Sequence, residues 1–251
     1  GAPHNRGFQA FSGAAGVRIP IAATVSASVH LGRSFRAPTV EELFSGAAHA
    51  GMGAVELGDA ALLAERGLSI EGMLRAHSAR WNAQISLHRN AIDRYVHLAL
   101  AGDTVLLGTT LPVLRYRQDD AVLMGAEGSV EWAATPRLVL GMMGDYLHAE
   151  LADGTPLSYM PPPRLGLLAR WEDGGYSLGA DLHHEVEQRR VGGADELPTE
   201  AHTTLRVHAG LRFQAGGRTH SITVRAEATS RIKDFAPGPG RNISVGYRLY
   251  Y

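Results

Sequence analysis

The sequence predicts an all-β chain, and more narrowly an antiparallel transmembrane β-barrel. Three observations predict it. Apolar and polar residues alternate with a period of two over runs of ten residues or so, whereas soluble strands average about 5–6 residues and a tilted transmembrane strand needs roughly 9–11. The apolar faces of the clearest runs carry no charge and their opposite faces are polar, as a lipid-facing surface and a watery lumen require. Short and long connections alternate along the chain, the pattern of barrels with short periplasmic turns and long outer loops.

The elements follow in order. Strands are expected at approximately 7–18, 21–33, 67–77, 79–97, 113–131, 137–149, 162–172, 176–188, 201–213, 218–228 and 241–251, about eleven in all. In 21–33, Ile21, Ala23, Val25, Ala27, Val29 and Leu31 share one face, and Thr24, Ser26, Ser28 and His30 the other. In 79–88, Trp81, Ala83, Ile85 and Leu87 oppose Arg80, Asn82, Gln84, Ser86 and His88. In 203–213, Leu205, Val207, Ala209, Leu211 and Phe213 oppose Arg206, His208 and Arg212. The last run sets Ile243, Val245, Tyr247, Leu249 and Tyr251 against Asn242, Ser244, Gly246 and Arg248. Tyr247 and Tyr251 are expected in the aromatic girdle at the membrane–water boundary. Short turns are expected at Ala133-Ala134-Thr135-Pro136, Glu172-Asp173-Gly174-Gly175 and Gln214-Ala215-Gly216-Gly217, with longer connections around 99–112, 150–161, 188–201 and 229–240. Pro161-Pro162-Pro163 starts a strand, where missing N–H donors do least harm.

Single-chain bacterial barrels have even strand numbers. An odd count, with no basic-then-apolar secretion signal at Gly1, leads to the expectation that residues 1–251 are one partial barrel. An open edge in lipid leaves backbone groups unsatisfied, so segments 7–18 and 241–251 are expected to need partners from elsewhere.

Composition narrows the chemistry. With 24 basic and 25 acidic residues, the balance argues against a nucleic-acid partner held by bulk electrostatics. There are no cysteines, so metal ligands must come from the 12 histidines and the carboxylates. No Gly-x-Ser-x-Gly motif or Ser/His/Asp order marks a catalytic site, and an enzyme is not expected.

One stretch, GRSFRAPTVEELF at 32–44, breaks the alternation. Pro38 ends the strand, and Thr39-Val40-Glu41-Glu42 forms a capping box that starts a short helix. Arg36, next to the proline, is expected to brace the loop by pairing with carboxylates, Glu41 and Glu42 being the candidates. Phe35, Arg36, Ala37, Pro38 and Glu42 are read as a structural loop motif.

With these residues in view, the chain resembles the C-terminal half of a TonB-dependent outer-membrane receptor. "FQAFSGAAGVRIP", "GRSFRAPTVEELF", "GAAHAGMGAVELGDAALLAERGLSIEG", "RNAIDRYVHL", "RQDDAVLMGAEGSVEW", "YMPPPRLGL" and "PGRNISVGYRLYY" follow that family's order. "VRAEATSRIKDFAPGPGRN" is shorter than the family's usual stretch and implies a reduced last outer loop. The resemblance implies the second half of a 22-stranded barrel whose plug domain is absent here. It also implies a location in the Gram-negative outer membrane, and uptake of a scarce ligand coupled to the TonB energy-coupling complex through that missing N-terminal plug. The implied partners are a metal or metal-chelate ligand, outer-membrane lipid and the barrel-assembly machinery, and this chain alone is not expected to transport.

Cargo is read from the loop after Pro38. Gly46-Ala47-Ala48-His49 and Glu56-Leu57-Gly58-Asp59 resemble the zinc-receptor branch. The Asn-Pro-Asn-Leu box of the heme branch is replaced by Asp59-Ala60-Ala61-Leu62. Zinc is therefore the first expectation and heme or siderophore iron the second, each as transported cargo and not as a permanently bound cofactor. The candidate ligands are His49, His97, His148 and Glu56, with His202, Asp145 and Glu150 as further donors, since zinc takes three or four such groups. His183 and His184 are adjacent on a strand, point to opposite faces, and are not expected to share an ion. The rival readings from other classes are a passive porin-type channel and a soluble β-sandwich binding module.

Overall fold

A computed structural model describes residues 6–49, 53–193, 196–230 and 240–250. Eleven strands form one continuous antiparallel meander: β1 (Gly13–Ala22), β2 (Val25–Arg36), β5 (Glu65–His77), β6 (Trp81–Leu106), β7 (Thr109–Thr135), β8 (Leu138–Leu151), β9 (Arg164–Asp173), β10 (Tyr176–Glu185), β11 (His202–Ala215), β12 (Arg218–Thr229) and β13 (Arg241–Tyr250). A small hairpin, β3 (Gly46–His49) and β4 (Ala54–Leu57), stands off this path, and β4 pairs in parallel with β7. The all-β antiparallel expectation holds, and the meander has the eleven strands read from the sequence.

The first two boundaries differ from expectation. The turn lies at residues 23–24, so Ile21 belongs to β1 and not to β2. A register shift between Pro20 and Ala22 offsets the two-residue turn. Odd-numbered residues therefore face the same way on both strands, Val17 opposite Val29 and Ile19 opposite Ala27. The alternation runs through the turn and hides it.

The long connection expected around 99–112 is absent. β6 and β7 run on as a hairpin closed by Leu107 and Gly108, both at positive φ (49° and 80°), as a type I′ turn requires. A bulge at 93–94, with Arg94 at φ 59°, switches the face parity. Above it, residues 95–106 add about 40 Å of strand at ~3.3 Å per residue.

Over most of its length the meander has one apolar face, with Arg33, Arg66 and Arg89 on the same parity toward the cap end. On the apolar face Val17, Leu87 and Ile243 are 54, 59 and 74% exposed, a liability in water but not in lipid. The chain's three tryptophans lie together near the short turns of this face. Trp81 is directly opposite Trp132, and Trp171 is opposite Leu138. Tyr247 joins them, its hydroxyl 2.6 Å from Nδ1 of His220, whose ring stacks on Phe213 at 5.1 Å. Transmembrane barrels place aromatic clusters of this kind at the membrane–water boundary. Tyr251 lies outside the described residues.

The buried hydrophobic side chains, Leu43, Ala54, Leu62, Val96, Leu114, Ala121, Ala149, Leu151 and Leu157 among the described residues, all sit at the opposite end. One cluster (Leu43, Leu62, Val96) packs the 37–63 loop on one face of the extended hairpin. The other (Ala121, Ala149, Leu151, Leu157) packs the 152–160 arm on its other face. The extended hairpin is thus the partition of a cap at that end of the meander.

Candidate functional site

The loop that leaves β2 is built from its own residues. Thr39 Oγ1 accepts the Glu42 N–H at 3.2 Å, and Glu42 Oε2 accepts the Thr39 N–H at 2.7 Å. This closes the capping box at the start of the helix α1 (Val40–Phe44). Pro38 is buried beneath it. Arg36 donates to Glu42 at 2.9 Å and to Glu65, 29 residues away, through Nε at 2.8 Å. Glu65, not anticipated from the sequence, also accepts the Val96 N–H at 2.7 Å, while the Glu41 side chain is not a partner of Arg36. The bonds to Glu65 and then Glu42 outweigh burial and raise the Arg36 pKa above its usual value, so this guanidinium is a permanent brace. Phe35 lies on the apolar face, at the outer end of β2.

The far end of the loop is clamped by Gln118. Its amide nitrogen donates to Leu63 O (2.7 Å) and Arg94 O (2.9 Å), and its oxygen accepts the Leu63 N–H (2.8 Å). Gly58 passes so close to α1 that a Cβ there would lie 2.6 Å from Phe44 N. Glu56 is 7% exposed and accepts from the Tyr116 hydroxyl at 3.1 Å. Burial first, and then the Glu56 charge, push the Tyr116 pKa up to about 12.

On the other face of the hairpin lies a cavity of about 580 Å³, lined by the hairpin, residues 151–159 and the glycines 192–193. His97 Nε2 is 2.8 Å from Asp119 Oδ2, and the His97 ring stacks against Tyr95 at 6.4 Å. Burial raises the Tyr95 pKa. Across the cavity, the Thr155 N–H, donating at 2.9 Å, and then its hydroxyl lower the Asp153 pKa, with His97 adding to the effect. Glu196 ties the rim together: its carboxylate accepts the Tyr159 N–H at 2.8 Å and the Gly192 N–H at 2.9 Å. A Cβ at Gly192 would collide with Pro156 O, so only glycine lets the two arms approach.

The four ligand candidates do not meet. Glu56 is held by Tyr116 on one face of the hairpin, and His97 by Asp119 on the other. His148 is on the apolar-face parity of β8, opposite Met124, and pairs with Glu150 at 2.9 Å; Glu150 also takes Arg190 at 3.0 Å. His49 is in β3, but its side chain lies outside the described residues. His202 pairs with Glu185 at 3.5 Å, and Asp145 with Arg164 at 3.0 Å. His184 bonds Thr203 at 2.9 Å while its neighbour His183 faces the other way. Among the described residues, no three His, Asp or Glu side chains stand placed to hold an ion.

A family model described as the TonB dependent receptor-like β-barrel matches residues 2–229. The chain belongs to the TonB-dependent receptor family. Its receptors reside in the outer membrane of Gram-negative bacteria and are transporters, not enzymes. Solved structures agree on the fold. The copper transporter OprC superposes with a TM-score of 0.73 at 17% identity, over 92% of this chain and 39% of that one. The siderophore receptor PirA from Pseudomonas aeruginosa gives 0.66 at 16%, over 96% and 42%. The FrpB iron transporter from Neisseria meningitidis gives 0.64 at 14%, over 94% and 38%. The chain therefore spans less than half the length of these receptors. In that barrel fold the apolar and the polar face of the meander are the two faces of the barrel wall.

Proposed function

We propose that this chain supplies wall and outer cap to a receptor that takes up a scarce metal, as the ion or a small chelate, with energy from TonB. The cavity carries the reading. Its 580 Å³ falls within the ~300–1,000 Å³ typical of small-ligand sites, and His97, Asp119, Tyr95 and Asp153 give it imidazole, carboxylate and phenol donors. A nitrogen and oxygen donor set without thiolates suits zinc, which is the first reading of the cargo. The second, an iron chelate such as a siderophore or heme, is favoured by the volume, which greatly exceeds that of a bare ion. Uptake of radiolabelled zinc and of ferric chelate by cells carrying the full-length receptor, with and without TonB, tests both. Loss of uptake in the TonB-deficient cells and in His97→Ala is the expected result. TonB-independent leakage of unrelated small solutes would instead make the protein a passive channel.

A further inference from the structure

Toward the cap end, the apolar face of β2, β5 and β6 changes character. Arg33, Arg66 and Arg89 stand on the parity of Leu31, Leu68 and Leu87. All three are exposed, and none has a side-chain hydrogen bond or ion pair among the described residues. Glu150, on the same face of β8, is by contrast held by His148 and Arg190. On this stretch of β2, β5 and β6 the same face carries one carboxylate, Asp93, the register partner of Arg66, and no side-chain bond joins them.

Their depth is informative. Arg89 is eight residues from Trp81 on β6, about 27 Å along the strand. Strands tilted by ~35–45° turn this into about 20 Å of depth. Register puts Arg33 and Arg66 two and four residues farther along, level with Ala91 and Asp93, so the cluster reaches about 30 Å. The apolar band of a transmembrane barrel is about 25 Å tall. With the tryptophans at one edge of that band, the arginines straddle the other edge. An arginine facing lipid is costly at mid-membrane and nearly free at such an edge.

We propose that Arg33, Arg66 and Arg89 hold the phosphate monoester headgroup of a membrane lipid, whose acyl chains lie down the exposed Leu31, Ile70 and Leu87. The register spaces the three Cα atoms about 8–14 Å apart, within the joint reach of long side chains that extend toward the interface. Three guanidiniums against Asp93 leave two net positive charges. A phosphate monoester carries about −1.5 to −2 at neutral pH, and planar guanidinium forks match its oxygens. That balance favours a monoester over a singly charged phosphodiester lipid. Nothing in this site depends on which cargo the receptor takes up.

The test uses full-length receptor in neutral maltoside micelles doped with phosphatidic acid, phosphatidylglycerol or phosphatidylcholine at equal mole fraction. Native mass spectrometry counts the lipid retained, and circular dichroism verifies that each variant is folded. Phosphatidic acid is expected to be retained in preference to the other two. Arg33→Gln and Arg89→Gln are each expected to weaken its retention about fivefold. Asp93→Asn, which removes the opposing charge, is expected to tighten it, and Arg206→Gln, on the polar face beside Glu227, to leave it unchanged. Retention that is unchanged in both Arg33→Gln and Arg89→Gln would overturn the proposal, as would a loss in Asp93→Asn. Equal retention of phosphatidylcholine or phosphatidylglycerol would remove the phosphate monoester as the ligand. Displacement of phosphatidic acid by an equal concentration of inorganic phosphate would leave an anion site with no lipid partner, and would overturn it too.

Discussion

Arg36 and Glu65 are joined by two parallel hydrogen bonds, Nε to Oε2 at 2.8 Å and Nη2 to Oε1 at 2.5 Å, across the register pair where β2 ends and β5 begins. A planar fork is needed for that geometry, and lysine lacks one. Arg36→Ala strands the 9%-exposed Glu65 side chain and is expected to cost the cap about 1–3 kcal/mol, a range held down by the partial exposure of the guanidinium. Hydrogen exchange should then quicken across 37–63 while the wall stays protected. Exchange that stays as slow as in the parent would show that the fork is not what holds the loop.

Tyr116 makes a prediction about pH. Its folded pKa, about 12, is above the ordinary phenol value near 10, so the folded cap binds the proton more tightly than the open one. The resulting stability is fully present below about pH 10 and is lost as pH rises toward 12. Absorbance at 295 nm should reveal one late-titrating phenol that disappears in Tyr116→Phe. In that variant the alkaline loosening of the 54–57 strand should shrink. A titration in which Tyr116→Phe removes an ordinary phenol counts against the Glu56 contact.

Leu107 is 98% exposed and sits at φ 49°, a conformation that branched apolar side chains resist and asparagine tolerates. Leu107→Asn creates an Asn-Gly turn and should stabilise the hairpin tip by about 0.5–1 kcal/mol. Slower exchange of the amides at 103–113 is the expected readout. A faster rate there would mean that the two-residue turn is not the native connection.

The tryptophan belt predicts a depth. Trp81, Trp132 and Trp171 should be quenched alike by lipids brominated close to the headgroup, and weakly by lipids brominated near the acyl-chain ends. Single-tryptophan variants make the comparison. A Trp171 signal quenched best at the bilayer centre would contradict the register that aligns it with Leu138.

Much of the wall was legible because it depends on local pattern. Alternation, the Gly-Gly turns at 174–175 and 216–217 and the Thr39–Glu42 box each occupy a few consecutive residues. The 99–112 segment was misread because a bulge at 93–94 and a second register shift between Leu100 and Gly102 break the period of two, and Gly, Asp and Thr imitate a loop. The site was legible only in part. His97 stood out as a donor. Its partner Asp119 is 22 residues away, and the opposing Asp153 is set by how an arm packs across a bent hairpin. Glu65 as the partner of Arg36 likewise follows from strand register, which no stretch of GRSFRAPTVEELF encodes.

The placement of every buried hydrophobic side chain in the cap, among the described residues, has a thermal consequence. Heat-capacity change on opening comes from apolar surface that passes from a dry interior into water. Lipid-facing residues such as Val17 and Ile243 make no such passage when the cap opens, whereas Leu43, Leu62, Val96, Leu151 and Leu157 do. The cap should therefore follow a curved stability profile that weakens on cooling as well as on heating. The part of the receptor proposed to meet the cargo is thus also the part whose grip answers most directly to the temperature of the surrounding water.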